Sequence, residues 1–359
     1  MAEKYKAVIA VPPGETLVEM LEDRQMTQKE LADRTGLSIK HINEIVQGKA
    51  SITSDTALKL EAVLGIPASF WMNLEANYQE TKARLAAEDE ITKEASLVKE
   101  FPYSEMAKMG LVPSTRDGRK KVLALREYFA VASLQRLQTV LPAAFRTAVA
   151  REASPFALAA WLRRGEIIAQ QMDLSSFQRD KLKSAVPILR GLTTKEPRQF
   201  CPEMEHICSG CGIALVYVPH LPKTYAHGAA YWLSPQRAVV QLSVRCKYAD
   251  IFWFSFFHEL GHLVLGHSKK ETFISYDGMR DTTTPKEEQA ANAFAANTLV
   301  PVADYRAFLK RGDLTSGAIV NFAEQIDLHP GIVVGRLQHD GYLQFNQSNN
   351  LREQYQITK

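Results

Sequence analysis

The chain has 359 residues, 46% of them hydrophobic and 23% charged, with a mean hydropathy of −0.19, the make-up of an ordinary globular protein with room for two or three domains. A formal net charge of +3 argues for no particular partner. The start, MAEKYKAVIAVPPGE, has no long apolar run before Pro12 and Pro13, and the later stretch Ile251 to Leu265 is broken by His258, Glu259 and His262. A secretory signal and a membrane span are therefore not expected, and a cytoplasmic protein is.

In chain order, residues 15–85 read as helices with short turns. Leu17, Met20 and Leu21 recur at helical spacing. From Thr27 to Gln47 the grammar is that of a helix-turn-helix. One helix, Gln28–Arg34, ends in Thr35-Gly36-Leu37, and a second opens at Ser38, a good N-cap. The pattern turns Ile39, Ile42, Ile45 and Val46 inward and leaves Lys40, His41, Asn43, Glu44 and Gln47 outside. In such a motif the second helix enters the major groove of double-stranded operator DNA. Gln28 and Asn43 could pair with adenine, and Lys40 could reach guanine or phosphate. Thr27, Lys29 and Lys49 are candidates for phosphate contacts, with Ser38 and His41 at the same edge. One feature opposes this: residues 1–90 hold ten Lys and Arg against fifteen Asp and Glu, a net of −5, although residues 1–70 carry only −2. The acid lies largely in the flanking helix.

The stretch from Pro13-Gly14-Glu15 through the Gln28–Gly36 turn region to Phe70-Trp71 and Leu74 resembles the HigA-type antitoxins of the XRE repressor family. That resemblance implies a five-helix DNA-binding domain acting as a homodimer on operators, and it raises binding of a cognate toxin.

Residues 91–205 read as a helical connecting region, with apolar spacing over Lys120–Tyr128, Pro155–Gln171 and Ser175–Leu192. Cys208-Ser-Gly-Cys211 reads as small residues at a turn, because a zinc knuckle would want a second pair and a reducing compartment disfavours disulfides. Near residue 212 the texture changes. Ile213–Val218, Ala229–Leu233 and Ala238–Val244 predict a small sheet. Helices follow over Ala249–Gly266, Pro285–Leu299, Val302–Lys310, Ser316–Gln325 and Pro330–His339.

His258-Glu259-Leu260-Gly261-His262 is an HExxH pattern. Positions i and i+4 share a helix face, so both imidazoles can grip one cation while Glu259 takes a proton from water. The flanking aromatic and aliphatic residues predict a buried helix, and a glutamate buried between two histidines needs compensation that a cation provides. A peptidase site needs a third ligand. The metzincin pattern fails, since Leu265 and Ser268 stand where its glycine and histidine belong, and His267 points off the shared face. Spacing leaves both Glu287 and Glu288 open, on a helix starting at Thr284-Pro285. Tyr231, Tyr248, His227 and Arg245 are undiscriminated candidates for oxyanion stabilisation. Arg336 and His339 read as a surface pair.

FWFSFFHELGHLVLGH followed by EEQAANAFAANTLVP resembles the ImmA/IrrE metallopeptidase family over roughly residues 212–342. The resemblance implies Glu288, four residues before Asn292, as third ligand, with Ala290 where the family often has a second acid. Asn292 is expected to serve packing or ligand orientation. The expectation is an α+β chain: a helix-turn-helix domain over residues 1–90, the helical connector over 91–205, a small zincin-like domain with a short sheet and the HExxH helix over 206–345, and a tail over 346–359. Zn2+, or alternatively Mn2+, would be held by His258, His262 and Glu288, with Glu259 as catalytic base. Functionally the resemblances imply a regulator carrying its own endopeptidase for a narrow protein substrate. The alternatives are an antitoxin whose peptidase fold is a sensor, or a metal-dependent sensor without turnover.

Overall fold

The computed structural model describes residues 9–144, 153–243, 248–269, 271–276 and 286–355. The chain divides into two compact units, Met1–Ser96 and Leu97–Lys359.

The first unit holds five helices: α1 (Pro13–Asp23), α2 (Gln28–Thr35), α3 (Ile39–Val46), α4 (Ser54–Leu64) and α5 (Ala68–Glu94). Side-chain caps start three of them. Thr27 accepts from the Glu30 N–H, Ser38 from that of His41 and Thr53 from that of Thr56, each satisfying a donor that the first turn cannot. Gly36 and Gly65 end α2 and α4 with φ of 71° and 67°, a left-handed conformation that glycine adopts without steric cost. The core is Leu17, Leu21, Leu31, Ile42, Ile45, Ile52, Leu60, Leu64 and Trp71. Buried Glu75 accepts the Ile52 N–H at 3.0 Å, tying α5 to the loop before α4. One inward residue is misread from the pattern: Ile39 is 51% exposed. It occupies the first turn of α3, before the helix has closed on its neighbours, whereas Ile42 and Ile45 lie a turn or more inside.

The second unit begins with α6 (Tyr103–Lys108), α7 (Gly118–Phe129), α8 (Leu137–Val140), α9 (Pro155–Gln170), α10 (Arg179–Gly191) and α11 (Pro197–Gly210). A four-stranded sheet follows, made of β1 (Ile213–Val218), β2 (Ala226–Ser234), β3 (Arg237–Ser243) and β4 (Phe273–Tyr276), in the order β1-β3-β2-β4. β1 runs parallel to β3, and β2 pairs antiparallel with both β3 and β4. Between β3 and β4 runs α12 (Ala249–Leu265), and after β4 come α13 (Lys286–Leu299), α14 (Val302–Lys310), α15 (Ser316–Gln325) and α16 (Pro330–His339). Helical and strand residues thus share one chain as an α+β protein.

Both faces of the sheet are covered. Ile213, Leu215 and Tyr217 alternate on β1, and Ala238, Val240 and Leu242 on β3, into the core that holds Phe256, Phe257 and Leu260 of α12. The opposite face meets α9, where Gln241 donates to the Trp161 carbonyl at 2.8 Å and Trp161 donates to that of Val218 at 3.0 Å. Burial on both sides explains why β1, IALVYV, reads as an unbroken apolar run.

Two stretches expected to be peripheral belong to this unit. In the segment read as a connector, α9, α10 and α11 pack on the sheet or on α12, and Phe200 of α11 lies against Trp253 with ring centroids 4.9 Å apart. The stretch read as a tail carries buried Tyr355, whose hydroxyl accepts the Trp253 indole N–H at 3.1 Å. Arg352 holds Asp250, in the first turn of α12, through contacts of 2.7 and 3.2 Å. Cys208 is buried in the last turn of α11, and burial pushes its thiol well above the ordinary range. Cys201, Cys208 and Cys211 form no disulfide. Cys246 lies outside the described residues.

Candidate metal centre and nucleic-acid interface

The HExxH stretch sits in the last turns of α12, where every residue from Ser255 to Val264 is buried. The helix approaches α13 closely because position 261 is glycine. A Cβ there would stand 3.0 Å from the Phe294 ring and 3.3 Å from the Ala291 Cα. That approach turns Glu288, one helical turn before Ala291, inward, and leaves Glu287 exposed. His258, His262 and Glu288 each offer a ligand atom, all within 4.8 Å of one another. His258 Nε2 is 3.1 Å from Glu288 Oε2, His262 Nε2 is 3.6 Å from Glu288 Oε1, and the two Nε2 atoms are 3.1 Å apart.

The outer nitrogens of both rings are also engaged. His258 Nδ1 lies 2.9 Å from Asn292 Oδ1, and His262 Nδ1 lies 2.9 Å from His267 Nδ1. The Phe273 ring stacks on His262 at 4.1 Å. Glu259 is fully buried, and the Ser275 hydroxyl donates to its Oε1. It fits only because position 228 of β2 is glycine: a Cβ there would stand 2.7 Å from Glu259 Oε1.

Electrostatics follow from this burial. Desolvation pushes the Glu259 carboxyl up to about 7, against the lowering effect of His258 and the Ser275 hydrogen bond. Desolvation, with His258 and His267 adding to it, pushes His262 down to about 2. Burial works the same way on His258, but Glu288, Glu259 and Asn292 outweigh it and raise that ring above its ordinary value. His262 is therefore neutral, the form that ligates metals.

The donor set fits a divalent cation. Glu288 Oε2 and Glu259 Oε2 are buried without a hydrogen-bond partner among the described residues. The contact of Glu288 Oε2 with His258 is an approach at ion-pair distance without hydrogen-bonding geometry. Buried carboxylate oxygens are costly to leave unsatisfied, and a cation at the convergence of two imidazoles and a carboxylate would satisfy Glu288. Two nitrogens and one carboxylate oxygen match a three-ligand catalytic zinc site, and Mn2+ is chemically compatible.

Of the oxyanion candidates, Tyr231 donates to Gln241 at 2.9 Å on the α9 face of the sheet. Tyr248 lies under the Arg352 guanidinium, 4.2 Å away, at the far end of α12. Buried His227 on β2 is close enough to lower the Glu259 pKa. Arg245, Thr284 and Pro285 lie outside the described residues. Arg336 pairs with Asp340 at 2.7 Å and covers the Tyr305 ring, and His339 is two-thirds exposed. Periodicity offered no sign of Ser275, Phe273 or a role for His267. The first two stand on β4, a four-residue strand that the apolar pattern did not reveal.

The packing of α13 on α12 carries a direct consequence. Gly261→Val would push α13 outward and draw Glu288 away from both rings. Affinity of the cluster for a divalent cation, read by chelator competition, is expected to fall by tenfold or more, about 1.4 kcal/mol.

In the first unit, Lys29, Lys40, Asn43 and Lys49 are exposed, while Gln28 and His41 are half-buried. Lys40 lies 3.8 Å from Glu44, and Asn43 Oδ1 accepts from Gln47 at 3.1 Å. Pairing of Asn43 with adenine would exchange that intrahelical bond, worth only about 0.2–0.5 kcal/mol. Thr27 and Ser38, expected at the DNA edge, spend their side-chain oxygens as helix caps, leaving each hydroxyl proton for a phosphate.

Fold and site together define a helix-turn-helix protein carrying a metallopeptidase-like domain. Residues 17–71 match the helix-turn-helix family, and residues 214–326 match the family described as IrrE N-terminal-like domain. Over 70 residues the chain is 39% identical to virulence-associated protein I of Dichelobacter nodosus, which covers 19% of this chain and 65% of that relative's length. It is similar to an addiction module antidote protein of a HigA family from Coxiella burnetii, at 34% identity over 24% of this chain and 94% of that one, with a TM-score of 0.22. It is also similar to the Pseudomonas aeruginosa antitoxin HigA solved with the higBA promoter, at 31% identity over 24% and 95%, with a TM-score of 0.23. These HigA likenesses cover the helix-turn-helix alone. The chain joins an XRE-type helix-turn-helix domain to an IrrE/ImmA-like peptidase-family domain. No described helix is long and apolar enough to cross a membrane.

Proposed function

We propose that this chain is an operator-binding transcriptional regulator, acting as a homodimer, whose second unit is a zinc-dependent endopeptidase for a narrow protein target. The observation that carries the enzymatic half is the buried convergence of His258, His262 and Glu288 beside a Glu259 whose second carboxylate oxygen has no partner among the described residues. A structural zinc site has no use for a buried, unpaired carboxylate next to its ligands, whereas a hydrolytic site does.

Bound there, zinc would supply Lewis acidity toward water and a peptide carbonyl. The chain's residues do the rest. Asn292 and His267 hold the two imidazoles in orientation. Gly228 makes room for Glu259, and the Ser275 hydroxyl fixes its Oε1, so Oε2 is the oxygen left to accept a proton from water and return it to the leaving amine. The antitoxin reading rests on the first unit and makes the peptidase fold a sensor, a role that would use the His, His and Glu cluster but gives the unpaired oxygen of Glu259 no task.

Metal analysis of the purified chain tests the site, with about one equivalent of zinc expected; none above background ends the enzymatic reading. Lys40→Ala and Asn43→Ala, both exposed on α3, test the other half. Each is expected to weaken binding to the chain's own promoter by about 1–3 kcal/mol, roughly 5- to 150-fold in a gel shift, with Lys40→Ala also flattening the salt dependence. Unchanged binding in both removes α3 as the reading helix.

A further inference from the structure

We propose that His267 is the positioning residue that holds His262 in the tautomer a metal ligand needs. The inference rests on the metal site proposed above and assigns the residue that sets its affinity.

The local chain brings the two rings together. Gly266 ends α12 with φ of 79°, and the N–H groups of both Gly266 and His267 return to the His262 carbonyl. This reversal folds His267 back under the ligand instead of letting it continue along the helix. The Nδ1 atoms then stand 2.9 Å apart, and the Phe273 ring packs on both imidazoles, with centroids at 4.1 Å from His262 and 5.7 Å from His267.

Two imidazole nitrogens at that distance share a single proton. A neutral imidazole carries one N–H. If His267 Nδ1 held the shared proton, His262 would carry its own on Nε2 and aim an N–H at the point where the ligand atoms converge. If His262 Nδ1 holds it, the lone pair of Nε2 faces that point, and half-buried His267 keeps its own proton on the far nitrogen. Only the second arrangement lets His262 bind a cation. The same logic is visible on the other ligand, where the Asn292 amide oxygen sits 2.9 Å from His258 Nδ1. One ligand is oriented by an amide and the other by an imidazole, and such partners fix ring orientation and raise ligand basicity.

An asparagine places its amide oxygen as many bonds from Cα as histidine places Nδ1, so it can supply the same acceptor. Zinc affinity measured by chelator competition is expected to weaken by about 10–100-fold in His267→Ala and to return to within about threefold of wild type in His267→Asn. His267→Ala binding zinc as tightly as wild type would overturn the assignment. So would equal loss in both variants, which would mark the ring as packing for Phe273. A measurement on the unaltered, zinc-loaded chain guards against variants that fail to fold: nitrogen–nitrogen coupling across the hydrogen bond, with the proton on His262 Nδ1, is expected by NMR. A proton on His267 Nδ1 refutes the proposal. A wild-type chain that binds no zinc removes the metal site and this inference with it, whereas a wild type that binds beside an equally tight His267→Ala removes this inference alone.

Discussion

His262→Ala is expected to leave the purified chain without stoichiometric zinc. The substitution removes one of three ligands, and structural zinc sites bind with roughly 10–16 kcal/mol shared among four, so each ligand is worth roughly 3 kcal/mol or about a hundredfold in Kd. After dialysis, metal content is expected to drop from about one equivalent toward zero. The stabilisation that bound zinc would lend the folded chain, about 4 kcal/mol at a thousandfold excess over Kd, is expected to disappear with it. The comparison is made between melting with and without added zinc for each protein. This matters because His262 also stacks on Phe273, and its loss opens a cavity that lowers the metal-free melting temperature by itself. A variant retaining about one equivalent of zinc would show that the two imidazoles do not act as a pair.

Glu259→Gln is expected to do the reverse, keeping the metal and losing the chemistry. The carboxylate is no part of the proposed ligand set, and the amide is nearly isosteric. The side-chain carbonyl oxygen of the variant can still accept from the Ser275 hydroxyl, so the buried position stays filled. What disappears is the oxygen able to take a proton, and general-base loss costs about 10^2–10^4 in turnover. Because the target protein is undefined, the measurement compares new protein N-termini in cells expressing wild type or Glu259→Gln at matched levels. Cleavage sites present with the first and absent with the second are the expected result. Identical sets would assign the site to sensing instead of hydrolysis. Burial pushes the Glu259 carboxyl up to about 7, because the pocket disfavours an uncompensated negative charge there.

Much of this was legible before any tertiary structure. Thr27, Gly36 and Ser38 act within one turn of their own positions, so the helix-turn-helix could be read from them and is found as α2 and α3. The strand Ile213–Val218 and the helices Val302–Lys310, Ser316–Gln325 and Pro330–His339 match their expected spans because period and punctuation are local. The spacing of His258 and His262 likewise guarantees a common helix face.

What spacing left open was decided by contacts between distant segments. Glu287 and Glu288 are neighbours of equal chemistry. The close approach at Gly261 and Ala291 turns one into the site and the other to solvent. Ile39 had the right period to be buried but lies where α3 has no neighbour to cover it. Tyr355 and Arg352 look like an ordinary polar terminus until Trp253 and Asp250 are placed beside them. β4 is too short to show a pattern and exists only because β2 offers it an edge, yet it delivers Ser275 to Glu259 and Phe273 to His262. Residues within a helical turn thus determined the elements and the paired imidazoles. Spacing could not choose between Glu287 and Glu288, where the family resemblance pointed to Glu288, and the positions of Ser275, Phe273 and His267 around the cluster came only from packing, because contacts across tens of residues leave no periodic trace in the chain.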